Sequence, residues 1–136
     1  MPSFTSSEDM YAVFTPFMQS LTTDPVVGAK FSAANTSFKV RHTDPDGVFL
    51  LDATTTPPTL YVGDDADGRD AEVDLTMSAE DGHQFWLGQL NLPIALARRK
   101  VKVSGGVAKL MGLVPALQPA YALYRDHLGA IGRPGS

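Results

Sequence analysis

Cysteine is absent from the 136 residues, which removes disulfide staples, thiolate nucleophiles and thiolate metal ligands together. Long apolar runs are missing as well. No stretch approaches the roughly 18 consecutive apolar residues that a membrane-crossing helix requires. The opening MPSFTSSEDMYAVF has neither a basic start nor an unbroken apolar centre, so no secretory leader is expected. These absences predict a soluble, cytoplasmic protein. An excess of positive charge is also lacking. With a net charge of −4, a dedicated nucleic-acid partner is not expected, because phosphate neutralisation supplies most of that affinity. The three histidines, His42, His83 and His127, have no HxxxH or comparable spacing, which argues against a metal site. There is no GxSxG elbow, and SGGVAK lacks the spacing of a phosphate loop. No cofactor is implied.

What is present suffices for one core. Hydrophobic residues make up 43% of the chain, enough for a single domain over residues 1–136 without staples. Ser6 and Asp9, like Thr5 and Glu8, stand at the spacing of a capping box. Met10, Val13, Phe14, Phe17 and Leu21 then repeat at helical intervals, with Pro16 inside the pattern. Asp24-Pro25 opens a second short helix through Phe31. From Ser37 the period becomes two, with Phe38, Val40 and His42 on one face and Lys39 and Arg41 on a wet one. Asp44-Pro45-Asp46-Gly47 reads as a type I turn. Val48 to Asp52 is apolar enough for a strand buried on both faces. Thr59 to Gly63 and Ala71 to Met77 supply two more strands. The Asp64 to Asp70 segment between them combines carboxylates and a glycine, but the register of a calcium loop fails, which leaves a solvated hairpin loop.

The informative stretch runs from Ser78 to Gly106. Ser78 and Asp81 cap a helix in which Gly82, Phe85, Trp86, Gln89 and Leu90 adjoin, a small residue beside large aromatics. That face leaves room for a ligand. Asn91-Leu92-Pro93 breaks it and starts a short helix through Ala97. Lys100 to Val103 is a strand, and Gly105-Gly106 turns the chain into a last helix. That helix carries a stripe from Leu110 to Leu128, distorted by Pro115 and Pro119. It reads equally as a kinked core helix and as an entrance that moves. The tail from Gly129 onward is expected to fray. Four of the eleven cations cluster at Arg98, Arg99, Lys100 and Lys102, whereas eight of the fifteen acids lie between Asp64 and Asp81. The basic run suits an anionic head group or an anionic membrane surface, and equally the lysine guard of an edge strand. His42, on the apolar face of its strand, reads most simply as a satisfied core histidine.

The order of elements, with Gly88-Gln89-Leu90, the break at Asn91-Leu92-Pro93, the run from Ala95 to Val103 and then Gly105-Gly106, resembles the sterol carrier protein-2 family of lipid-binding domains. The chain departs from that pattern at three places: Leu96 where the family has phenylalanine, Arg99 where it has glycine before the basic strand, and Gly106 where it has asparagine. The resemblance implies an α+β fold, a five-stranded mixed, mainly antiparallel sheet covered on one face by helices, with an apolar tunnel. It also implies a non-catalytic carrier of a sterol, steroid, fatty acid or acyl-CoA. Phe85, Trp86, Leu90 and Leu96 are then the expected ligand contacts, with Val101 and Val103 on the adjoining strand. Leu110, Met111, Val114 and Leu117 join them from the last helix. Two alternatives stand beside this reading. One is a small isomerase or hydratase with His42 and a nearby aspartate as its acid-base pair. The other is an accessory subunit that partners a lipid-metabolising enzyme.

Overall fold

The computed structural model describes residues 3–133. Five strands form one sheet: β1 (Ser37–Thr43), β2 (Gly47–Asp52), β3 (Thr59–Val62), β4 (Val73–Ser78) and β5 (Lys102–Gly105), in the order β3-β2-β1-β4-β5. Only β1 and β4 run parallel. The connection between them carries β2 and β3 out to one edge, which leaves β5 at the other. Lys102 therefore lies on an edge strand, and β5 begins two residues later than the sequence suggests because Val101 is drawn into the core at 1% exposure.

One face of the sheet carries most of the helices. In α1 (Ser7–Thr23) the Ser6 hydroxyl accepts from the Asp9 N–H, as the capping spacing requires, while the Asp9 carboxylate reaches Thr5 N–H instead of closing the box on Ser6. The Asp24 carboxylate accepts from Val26 and Val27 to start α2 (Val27–Ala34). The apolar stripe of α1, including Met10, Phe14 and Phe17, is fully buried. The chain turns from β1 into β2 at residues 44–46, where the Asp44–Pro45 peptide is cis and Asp44 has φ 54°.

The far face is not simply wet. α3 (Asp64–Asp67) forms within the acidic segment, and Ala66 packs with Val48 and Leu50 in a second, smaller cluster. Lys39 shares that face, because it pairs with Leu50 across the β1–β2 ladder. It is 4% exposed, and its ammonium donates to the backbone carbonyls of Asp67 (2.9 Å) and Arg69 (2.7 Å). Arg41 pairs with the Asp67 carboxylate at 2.6 Å, and the Arg69 guanidinium sits 3.8 Å above the Tyr61 ring. The expected solvated loop is a cover, tied down by the two cations expected to face water.

Ser78 caps α4 (Ala79–Trp86) by accepting from Asp81. This helix stops sooner than its apolar pattern suggests. Gly88 takes φ 77°, and the amides of Gly88 and Gln89 turn back to the carbonyls of Phe85 and Gln84, the left-handed stop that glycine provides. Asn91 then caps α5 (Leu92–Ala97). The last helix is three pieces: α6 (Val107–Leu113), a 3-10 turn (Val114–Leu117) with Pro115 in its first turn, and α7 (Gln118–Ala130) with Pro119 in its first turn. The stripe survives the breaks, since Leu110, Leu117, Tyr124 and Leu128 all reach the core. The chain over residues 129–133, where fraying is expected, is tied down. Arg133 still hydrogen-bonds the Ser3 carbonyl and the Asp9 carboxylate, while residues 134–136 lie outside the described range. No helix among the described residues is long and apolar enough to cross a membrane.

Candidate functional site

The helices do not close flush on the sheet. An apolar cavity of about 80 Å³ lies between them. Its floor is the inner face of the sheet: Phe38, Val40 and His42 of β1, Phe49 and Leu51 of β2, Leu60 of β3, and Leu75 and Met77 of β4. These residues line it because strand parity sends them to one side, and the pairs Val40–Phe49, Val40–Leu75 and His42–Met77 are direct neighbours. Its walls are Met18 and Leu21 of α1 and Phe31 of α2. Phe85 and Trp86 of α4, Leu92 of α5, and Leu110, Leu113 and Leu117 of the C-terminal pieces complete them. Phe85 and Trp86 stand edge to face at 4.9 Å, and Trp86 meets Phe17 at 5.1 Å.

Of the ten residues expected to contact a ligand, Phe85, Trp86, Leu110 and Leu117 line this cavity. Leu90, Met111 and Val114 pack half-buried against the core outside it. Leu90 leaves the α4 face because Gly88 reverses the chain before it. Leu96, Val101 and Val103 line a separate open groove of about 470 Å³, with Arg99, Lys102 and Val107. All four residues of the basic cluster are exposed, and Lys100 reaches Asp81 at 3.4 Å.

The inner-face strand residues were absent from those expectations. Their signal is the period-two alternation itself, which marks a core-facing side without reporting whether that core is filled. Phe38, Val40, Leu75 and Met77 are as legible as Phe85, and nothing in a strand pattern distinguishes packed from cavity-facing positions.

His42 stands out in this lining. It is 3% exposed, stacks on Phe14 with ring centroids 5.2 Å apart, and meets Phe49 edge-on at 5.6 Å. Gly82 makes room for the ring: a β-carbon there would come within 2.7 Å of His42 Nε2. His42 Nδ1 is buried and has no hydrogen-bond partner. Burial lowers the pKa to about 4, with a smaller opposing pull from the Gly47 backbone. The ring is therefore neutral at pH 7. The histidine expected to be satisfied is buried with its Nδ1 unpartnered, its ring held only by the hydrogen-bonding pull of the Gly47 backbone, and no aspartate among the described residues bonds Nδ1 as the acid-base alternative requires. By contrast, the buried His83 Nδ1 and the Tyr124 hydroxyl share a hydrogen bond at 2.6 Å, and burial raises the Tyr124 pKa. No group of three or more potential metal ligands forms among the described residues.

A family model described as the SCP-2 sterol transfer family matches residues 17–118. No curated protein sequence matches the chain. Among solved structures, the chain is similar to the apo form of sterol carrier protein 2 from Yarrowia lipolytica, with 21% identity, coverage of 87% of this chain and 95% of that one, and a TM-score of 0.62. It is also similar to the sterol carrier protein domain 2 of Helicoverpa armigera, at 20% identity over 94% and 96% of the two chains, TM-score 0.61. A structure named UbiJ-SCP2 ubiquinone synthesis protein is similar at 13% identity over 88% and 95%, TM-score 0.58. At such identities the likeness is one of fold.

Proposed function

Because the chain belongs to the SCP-2 sterol transfer family, we propose that it binds and transfers a hydrophobic small molecule without catalysis. The observation that carries this reading is the cavity, whose lining is apolar apart from the His42 imidazole and the Trp86 indole N–H. Such a site offers transfer free energy and shape, with no serine, threonine, lysine or carboxylate in its lining. A chain of about twelve methylenes gains roughly 10 kcal/mol gross at 0.8 kcal/mol each. Losses of motion and ordering bring that to micromolar affinity, strong enough to solubilise and weak enough to release.

At about 80 Å³ the cavity is smaller than the roughly 300–1,000 Å³ of most small-molecule sites, so a lipid enters by moving a wall. The wall best suited is the segment from α6 through the 3-10 turn, where Pro115 and Pro119 divide the helix and Leu110, Leu113 and Leu117 face the cavity. The open groove beside Arg99 and Lys102 is the place we assign to an anionic head group or an anionic membrane surface. An accessory role beside a lipid-metabolising enzyme is a second reading, favoured by the likeness to the ubiquinone synthesis protein.

Displacement of a fluorescent fatty acid, with native mass spectrometry of the purified protein, tests the carrier reading. Micromolar displacement is expected, and Leu75→Phe, which projects a ring into the cavity, should weaken it about tenfold. Failure of any lipid or probe to bind at high micromolar concentration would remove the reading.

A further inference from the structure

We propose that His42 is the anchor for a neutral oxygen, a hydroxyl or a ketone, at the buried end of the ligand, so that this cavity prefers alcohols and ketones over purely apolar molecules. The inference rests on the carrier reading and goes beyond it to the chemical class of the cargo. His42 is the only titratable side chain in the lining. Its Nδ1 is buried without a partner, an arrangement that costs stability and that an apolar ring in the same place would avoid. The ring also has a built seat: Gly82, lacking a β-carbon, lets the Nε2 edge pack against α4, and Phe14 and Phe49 fix the ring plane.

The chemistry of the anchor selects the partner. A neutral imidazole presents one N–H and one lone pair, which a hydroxyl answers in either sense and a ketone answers as acceptor. A carboxylate finds no counter-charge there. The two cations on the same strand, Lys39 and Arg41, lie on the opposite face, Lys39 bound to the carbonyls of Asp67 and Arg69 and Arg41 to the Asp67 carboxylate. Burying an unpaired carboxylate beside a neutral ring is prohibitive, so fatty acids enter tail first and alcohols enter oxygen first. The apolar remainder of either ligand uses the same lining, which is why total affinity alone does not reveal the anchor.

A double-mutant cycle separates the two contributions. Decanol and chlorodecane are compared as competitors of the fluorescent fatty acid on the wild-type protein and on His42→Phe. The expected result is a loss of about tenfold in decanol affinity in the variant, the size of one hydrogen bond lost in a dry site, with chlorodecane essentially unchanged. Equal losses for both competitors, or no loss for decanol, overturn the anchor and leave the carrier reading standing. Failure of the fluorescent fatty acid and of both competitors to bind the wild type overturns the two readings together, whereas binding of the fatty acid alone overturns only the anchor. Ring-nitrogen NMR on the wild-type protein gives the answer without a variant. Decanol should shift the His42 Nδ1 or Nε2 resonance and chlorodecane should not, and identical spectra with the two bound ligands would also overturn the proposal.

Discussion

Lys39 and His42 sit three residues apart on β1, are 4% and 3% exposed, and face opposite sides of the sheet. The lysine lies under a cover that supplies two carbonyls at hydrogen-bonding distance. The histidine lies in a cavity that supplies none to its Nδ1. One strand thus buries two polar groups at similar depth. On the far side the polar group fastens α3 to the sheet; on the near side it is left able to bond something else. Burial alone does not separate a structural polar residue from a functional one, whereas the accounting of its partners does.

The strongest way to break this contrast is at Lys39. Lys39→Ala removes two charge-assisted hydrogen bonds and strands the Asp67 and Arg69 carbonyls, so unfolding in urea should show a loss of about 4 kcal/mol. Lys39→Met, which keeps the apolar stem, should recover only part of it. Neither should alter the preference for decanol over chlorodecane. A change in that preference would mean that the two faces are coupled and the contrast is wrong.

The second test is a pH profile. The folded pKa of His42 is below its unfolded value, at about 4 against 6.5, so the folded protein binds fewer protons in that interval. The stability from keeping the ring neutral is full above pH 6.5, falls as pH drops towards about 4, and is flat below. The whole effect is about 3 kcal/mol. Glu72, held low by the Thr36 hydroxyl and Lys109, and Asp9, held low by the Thr5 N–H and Arg133, have ordinary values of 4.5 and 3.8. Glu80 is also held low, its partial burial outweighed by hydrogen bonds from Ser3, and all three contributions begin to be lost at about pH 5, so the slope above that reports the histidine. His42→Phe should flatten it, and an unchanged slope would show that the His42 ring does not carry the pH dependence.

Much of this was legible in the residues. Period two placed Phe38, Val40 and His42 on one face, and the capping residues Ser6, Asp24, Ser78 and Asn91 each begin a helix. The unbroken run Val48 to Leu51 even demanded a cover on both faces. It did not name that cover, because α3 reaches Lys39 from about thirty residues away and local composition says only that aspartates and glycine make turns. The site was harder. Phe85 and Trp86 announced themselves by size, whereas Leu90 was lost to the reversal at Gly88, and Val101 and Val103 to the outer groove, once the short elements shifted by two residues. A cavity is a shortfall in packing between distant elements, which no periodicity reports.

The smallest expected effect is a control on both tests, placed at Arg99. This residue follows α5 with φ 59°. Its amide bonds the Leu96 carbonyl at 3.1 Å and the Lys100 amide bonds the Ala95 carbonyl at 2.9 Å, the left-handed helix stop that favours glycine. Glycine is also what the family's pattern has there. Arg99→Gly should therefore raise stability by about 1 kcal/mol, shifting the whole stability-against-pH curve upward without changing its slope above about pH 5. Arg99→Ala keeps the unfavourable backbone while removing the charge, so it should gain far less. If glycine and alanine gain equally, relief of charge crowding among Arg98, Arg99 and Lys100 is the cause and not the backbone. If Arg99→Gly also tilts the pH profile, the His42 environment extends to the end of α5, and the separation between a fastened face and an open one is less sharp than their hydrogen bonds imply.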